Sequence, residues 1–276
     1  FGFLLIPGLG IAGAAIATSG AQVVGMFVGL YLLRRNRLGA KISLRNFKFD
    51  KKIAIPMTLI GLPAMIMQGL SSIMILALNS IISGITLVGV AVLGVYYKLQ
   101  MVVLMPIFGM CQGLMPIIGY NFGAKEKDRI KEVYKYSLII AISIMVFGLI
   151  LFQLIPKQLL LLFNAETEML GLGVTAFRIL SLGFVFAGFS IVTSTVFQST
   201  GKAYLSLIMS LLRQIILLLP LASILSKRIG INGVWYSLPI VEAFSVIIAA
   251  VLITYLFKNT IMKLEKVDED VITSLL

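Results

Sequence analysis

Apolar stretches of about 20 residues or more recur seven times along this 276-residue chain, each nearly free of charge. A helix of that length crosses the ~30 Å hydrocarbon core of a bilayer. Inside lipid the backbone has no water to bond, so such a segment must satisfy its own amides and carbonyls as a helix. The spans read as residues 11–33, 53–82, 87–117, 136–155, 170–197, 204–225 and 234–257. Hydrophobic residues make up 59% of the chain and charged ones only 12%, too few charges to cover a soluble body of this size. The expected fold class is therefore an all-α membrane protein with about seven transmembrane helices. Pro63, Pro106 and Pro239 lie inside spans, where a missing amide donor invites a kink.

Charge supplies the orientation. Arg34, Arg35, Arg37, Lys41, Arg45, Lys48, Lys51 and Lys52 crowd into one connection, and Lys125, Lys127, Arg129, Lys131 and Lys135 into another. If both face the cytoplasm, Lys202 and the tail after Phe257 do too, leaving only Lys157, Lys227 and Arg228 outside. That asymmetry is the positive-inside pattern. The net charge of +12 then reflects contact with anionic headgroups, and nucleic acid is not an expected partner. The chain is expected in the cell inner (plasma) membrane as a multi-pass protein.

Several chemistries are excluded by residue type. There is no His, one Cys (Cys111) and one Trp, so neither a disulfide nor a Cys/His metal cluster can form within the chain. No acid–base pair or phosphate-binding loop is legible, and the chain is not expected to be an enzyme, to hold a metal or to need a cofactor. Cys111 sits in an apolar stretch and reads as a packing residue.

Of eleven acidic residues, only Glu242 lies within a span. A carboxylate in hydrocarbon is expensive and ordinarily faces a cavity or a partner. Glu242 is roughly 12 Å into the last span, and Arg213, entering from the opposite side, is roughly 14 Å into the one before it. The two can meet near mid-bilayer, as a structural ion pair or as a gating or coupling pair. Lys98, flanked by Tyr96, Tyr97 and Gln100, lies halfway along the third span. At a lipid-facing centre a lysine costs about 2.5 kcal/mol or more, so it either lines a cavity or snorkels. Gln68, Asn79, Gln112 and Gln214 read as pathway groups or as interhelical hydrogen-bond glue. The candidate substrate or ion pathway is thus Glu242, Arg213, Lys98, Tyr97, Gln100, Gln68 and Asn79. Arg178 reads as a tether to Glu166 and Glu168. Thirteen Met and 17 Phe supply adaptable apolar walls.

A weak internal repeat adds organisation. Gly10-Ile-Ala-Gly13 opens the first span and Gly230-Ile-Asn-Gly233 the last, and Glu242 then corresponds to Gln22. Because the chain starts at Phe1 in what should be an outside loop, it reads as part of a longer protein.

Four segments carry a family resemblance. PIFGMCQGLMPIIGYNFGAK at 106–125, FQSTGKA at 197–203, LLRQIILLLP at 211–220 and GINGVWYSLPIVEAF at 230–244 resemble the multidrug and toxin extrusion (MATE) family. The resemblance implies a two-lobe, twelve-helix transporter. Residues 1–33 would be the last helix of the N-terminal lobe, 34–52 a basic cytoplasmic linker, 53–257 the six-helix C-terminal lobe, and 258–276 a cytoplasmic tail. It implies a secondary antiporter exporting small organic cations or drugs in exchange for sodium ions or protons, with membrane lipids and an N-terminal lobe as partners. The chain departs from the family pattern in one respect. Residues 53–82 and 170–197 hold no acid, only Gln68, Ser71, Asn79 and Arg178 as notable polar groups, so the coupling ion stays open. The alternatives are a lipid-linked saccharide flippase of the same superfamily, which should have a more basic cavity, and a non-transporting membrane scaffold.

Overall fold

A computed structural model of the chain describes residues 10–35 and 50–264. It divides into two compact units, Phe1–Lys51 and Lys52–Leu276. Most of the basic linker and the end of the tail lie outside the described residues. In the first unit, α1 (Gly10–Arg35) is a 26-residue helix.

The second unit is built from α2 (Lys51–Ser83), α3 (Leu87–Gly123), α4 (Lys127–Leu154), the short α5 (Pro156–Leu161), α6 (Thr167–Ser181), α7 (Phe184–Ser199), α8 (Ala203–Leu211), α9 (Leu218–Ile229) and α10 (Ile231–Leu256). Among the described residues, six helices are long and apolar enough to cross a membrane, and the α6–α7 pair makes a seventh crossing if its two bent halves count as one. The all-α membrane class is therefore present as expected. At 33 and 37 residues, α2 and α3 are roughly 50 and 55 Å long, well beyond the hydrocarbon thickness, so they tilt or project past it.

α3 continues as helix through Pro106 and α10 through Pro239. A 48° bend falls between α6 and α7 at Leu182–Gly183, where there is no proline. A second irregularity is a π-helical segment, Leu212–Leu217, joining α8 to α9. Pro220 explains it: with no amide to donate to Ile216 and a ring that crowds that carbonyl, it favours a wider turn upstream. Within that turn Leu218 donates to the Arg213 carbonyl, five residues back.

α7 is the central helix, touching α3, α4, α8 and α10. Membrane helices gain little from apolar burial against one another, because lipid is equally apolar. They associate through close packing and hydrogen bonds. Both are present. A methyl group on Gly188 would meet the Met145 side chain at 3.0 Å, so glycine lets α7 approach α4. Tyr134 and Thr193 share a hydrogen bond of 3.0 Å between α4 and α7, and Ser206 donates to the Ser194 carbonyl at 2.8 Å between α8 and α7. Gly230, with φ of +63°, turns α9 into α10, and a side chain on Gly233 would collide with the Leu225 backbone. An aromatic core of Tyr96, Phe152, Phe177 and Phe184 has ring separations between 5.0 and 6.2 Å.

Candidate functional site

The Pro220-induced π-turn sets the site. In a regular helix the Arg213 and Gln214 side chains would point about 100° apart on a fixed face; the wider turn resets that direction locally. Here Arg213 reaches across to α10 and its Nη1 lies 2.5 Å from Glu242 Oε1. Residual side-chain exposure is 28% for Arg213 and 19% for Glu242, so the pair is neither sealed nor free. The second carboxylate oxygen lies 3.5 Å from Ser245 Oγ, which also donates to the Glu242 carbonyl at 2.8 Å. Ser245 in turn meets Ser190 of α7 at 3.2 Å. One carboxylate thus joins α10, the π-turn and α7.

The α6–α7 break closes the site from another side. A Cβ on Gly183 would lie 3.4 Å from Glu242 Cγ and equally close to the Pro239 Cα. Glycine at the break therefore lets α10 press its carboxylate stem into the corner. Tyr96 and Tyr97 lie near enough to feel the Glu242 charge, and Tyr97 feels Arg213 as well. Among the described residues, the Tyr97 hydroxyl and the Gln214 Oε1 are buried without hydrogen-bond partners. Orphaned buried polar atoms of this kind normally hold a water or serve another state of the protein.

The sequence-derived candidates separate into two groups. Glu242 and Arg213 converge, and Tyr97 lies within electrostatic reach of both without a hydrogen bond to either. Lys98 does not join them: its Nζ lies 5.8 Å from the centre of the Phe163 ring, in the α5–α6 connection at the end of the bundle where α3 begins. Its side chain is exposed and makes a cation–π contact, an arrangement open to both a cavity-lining and a snorkelling lysine. Gln68 is exposed, and Gln100 and Asn79 are half-buried; none has a hydrogen bond to the ion pair. Arg178 corrects a reading. Its side chain is exposed and, among the described residues, it makes no ion pair with Glu166 or Glu168. Those acids start α6 and Arg178 ends it, so roughly 15–18 Å of helix separates them. Nearness in sequence to a loop did not mean nearness in space.

The sequence reading missed Gln153. Its Nε2 donates to the Arg178 carbonyl at 2.8 Å and to Ser181 Oγ at 3.1 Å. The available signal was a lone amide near the end of an apolar span. Cys111 is buried, as its surroundings implied.

The site so described can exchange partners. A carboxylate held by one guanidinium contact and one long hydroxyl contact keeps lone pairs free for a proton, a cation or water. Neutralising it releases Arg213. Among the described residues no three of His, Cys, Asp and Glu gather to hold a metal ion.

Comparison with known proteins agrees with the geometry. The family model MatE matches residues 63–224, which includes three of the four segments noted in the sequence. The multidrug export protein MepA of Staphylococcus saprophyticus is 26% identical over 252 residues, covering 91% of this chain and 55% of that protein. MepA from a bovine strain of Staphylococcus aureus is 27% identical over 258 residues, with the same coverage. The chain thus spans about half the length of the curated relatives it matches. An outward-facing multidrug resistance MATE transporter of the MOP superfamily superimposes with a TM-score of 0.82 at 27% identity, over 91% of this chain and 58% of that one. A MOP superfamily transporter from Pyrococcus furiosus, described as having a binding pocket of reverse polarity that suggests a different function, gives 0.82 at 25% identity, over 92% and 58%. With an all-helical membrane fold and more than half its residues matched by one family model, this multi-pass membrane chain belongs to the MatE family of transporters.

Proposed function

We propose that the chain is one lobe, with one additional helix, of a secondary antiporter that exports small organic cations in exchange for sodium ions or protons. Arg213–Glu242 is its working charge pair. The observation that carries the reading is this pair: an acid deep within a span, bound to a π-turn arginine, inside a lobe that matches a multidrug resistance transporter in fold. A cation or proton reaching Glu242 competes with Arg213, and the exchange couples the carboxylate to the packing of α7 and α10. The relatives' greater length supports a second lobe as partner. Both basic connections face the cytoplasm, and lipid headgroups contact them. Nothing in the reading requires bond-making chemistry.

The saccharide-flippase alternative wants a basic interior for an anionic cargo. Among the described residues, Lys98 leans onto Phe163, Arg213 is neutralised by Glu242 and Arg178 is exposed. Cationic cargo suits that balance better.

The test is dye efflux from proteoliposomes under imposed sodium or proton gradients. The complete reading frame should export ethidium under one of the two gradients, and the present chain alone should not. Robust efflux by the chain alone would contradict the two-lobe reading, and export of an anionic lipid-linked sugar would move the protein to the alternative. Orientation is checked by an impermeant thiol reagent on intact cells, in a Cys111→Ala background. Thr167→Cys should label and Asp128→Cys should not; the reverse result would invert the topology.

A further inference from the structure

The α6–α7 break leaves a backbone account to settle. In an unbroken helix the Arg178 carbonyl would accept from the Leu182 amide. At the break, Leu182 donates instead to Ile179 at 3.2 Å, and Gly183 to Leu180 at 3.2 Å. The Arg178 carbonyl is left without its helical donor, in a setting where an unmet carbonyl is costly. Two side chains supply what the backbone withholds. Gln153 donates from α4 at 2.8 Å, and Ser181 Oγ from within α6 at 3.1 Å. Gln153 also donates to that same Ser181 hydroxyl at 3.1 Å. No proline imposes the bend, so a straight form in which Leu182 donates to Arg178 is open to this sequence. On the inner side of the corner, a Cβ at position 183 would lie 3.4 Å from the stem of Glu242.

We propose that Gln153 is a positioning residue: its amide replaces the donor that the break withholds from the Arg178 carbonyl, and so holds the bent joint against Glu242. The joint is a two-state element: bent, both acceptor sites of the Arg178 carbonyl are filled by Gln153 and Ser181; straight, the Leu182 amide must displace one of them. Such discrete alternatives, rather than gradual flexing, are how packed helices convert a local change into a large displacement. In the straight form the 15-residue α6 sweeps its far tip by on the order of 15 Å, from its length and the bend. Gly183 simultaneously withdraws from Glu242. The bend and the ion pair are thereby tied. That link to transport rests on the working-pair reading above, but the joint itself is measured without it.

The experiment is a spin-label distance measurement on the full chain in lipid nanodiscs. Labels go at Glu168→Cys, in the first turn of α6, and Leu87→Cys, at the start of α3, with Cys111→Ala; both positions are exposed. Gln153→Leu, which cannot donate, should move a major part of the distance distribution by roughly 10 Å or more, at every pH. Gln153→Glu, close in volume, donates only when protonated. It should keep the native distance in acid and lose it in alkali. The other charged or titratable groups around the joint, Arg178 on α6, Tyr96 on α3 and the Arg213–Glu242 pair, are common to both variants, so the difference between them isolates position 153. Unchanged distances in Gln153→Leu, or a pH-independent Gln153→Glu, overturn the proposal. If Gln153→Leu does not accumulate as a monodisperse protein, Gln153→Glu alone decides, and collapse of both would mark Gln153 as a fold determinant and equally overturn it. Shifted distances with wild-type drug export in the complete transporter would uphold the joint and count against the working-pair reading.

Discussion

Lys98 on α3 and Arg213 in the π-turn each bring a full positive charge onto a membrane helix, and the fold disposes of them differently. Among the described residues Lys98 makes no ion pair, and it leans along its flexible stem to the Phe163 ring, near one end of the bundle. Arg213 points into the bundle and meets a carboxylate that is itself tied to Ser245 beside the α6–α7 break. The contrast follows from the side chains. A lysine ammonium is a compact charge on a long alkyl stem and can climb towards water. An arginine fork is built to hold a carboxylate, and burying such a pair leaves both members dependent on each other. Only the second arrangement carries consequences for the rest of the lobe, because loss of either partner strands a charge among three helices.

Substitutions at the two cations sharpen that contrast. The largest effect is expected at the pair. Removing one member of a buried ion pair costs about 3–5 kcal/mol. The residual exposure of both side chains lowers this to about 2–3 kcal/mol after screening. Arg213→Gln and Glu242→Gln should each lower the thermal midpoint in detergent and reduce the folded yield. If neither moves, the pair is not a structural unit. A smaller effect is expected at Tyr97. Its hydroxyl is buried without a partner among the described residues, so Tyr97→Phe should change stability by less than about 1 kcal/mol, or slightly raise it. A drop of 2 kcal/mol would mean that the hydroxyl has a partner in the membrane. The smallest is expected at Lys98. Lys98→Met keeps the stem and removes an exposed cation–π contact worth about 0.5–1 kcal/mol. Melting and resistance should stay near wild type; a Lys98 effect equal to that of Arg213 would erase the distinction.

What the sequence made legible follows the same division. Span number came from a length rule imposed by the bilayer, and no tertiary contact was needed to read it. Glu242 and Arg213 were legible because charge in hydrocarbon is rare and their depths matched. The Lys98–Phe163 contact was not, since it joins a span to a connection 65 positions away with no periodicity to betray it. The bend at Leu182–Gly183 was not legible, because no proline marks it and Gln153 meets its carbonyl demand from another helix. Arg213's direction likewise depends on Pro220 acting two turns downstream through the π-turn, a local effect that hydropathy does not report.

The most direct test of the account compares Glu242→Gln, Arg213→Gln and the double variant in the complete transporter, reading folded yield and drug resistance side by side. The account predicts that both single variants lose yield and resistance. The double variant, with no stranded charge, should regain yield to near wild type while resistance stays at least about 10-fold reduced. Recovery of yield and resistance together would show the pair to be a structural brace only. Wild-type resistance in the Glu242→Gln single variant would contradict the central claim outright.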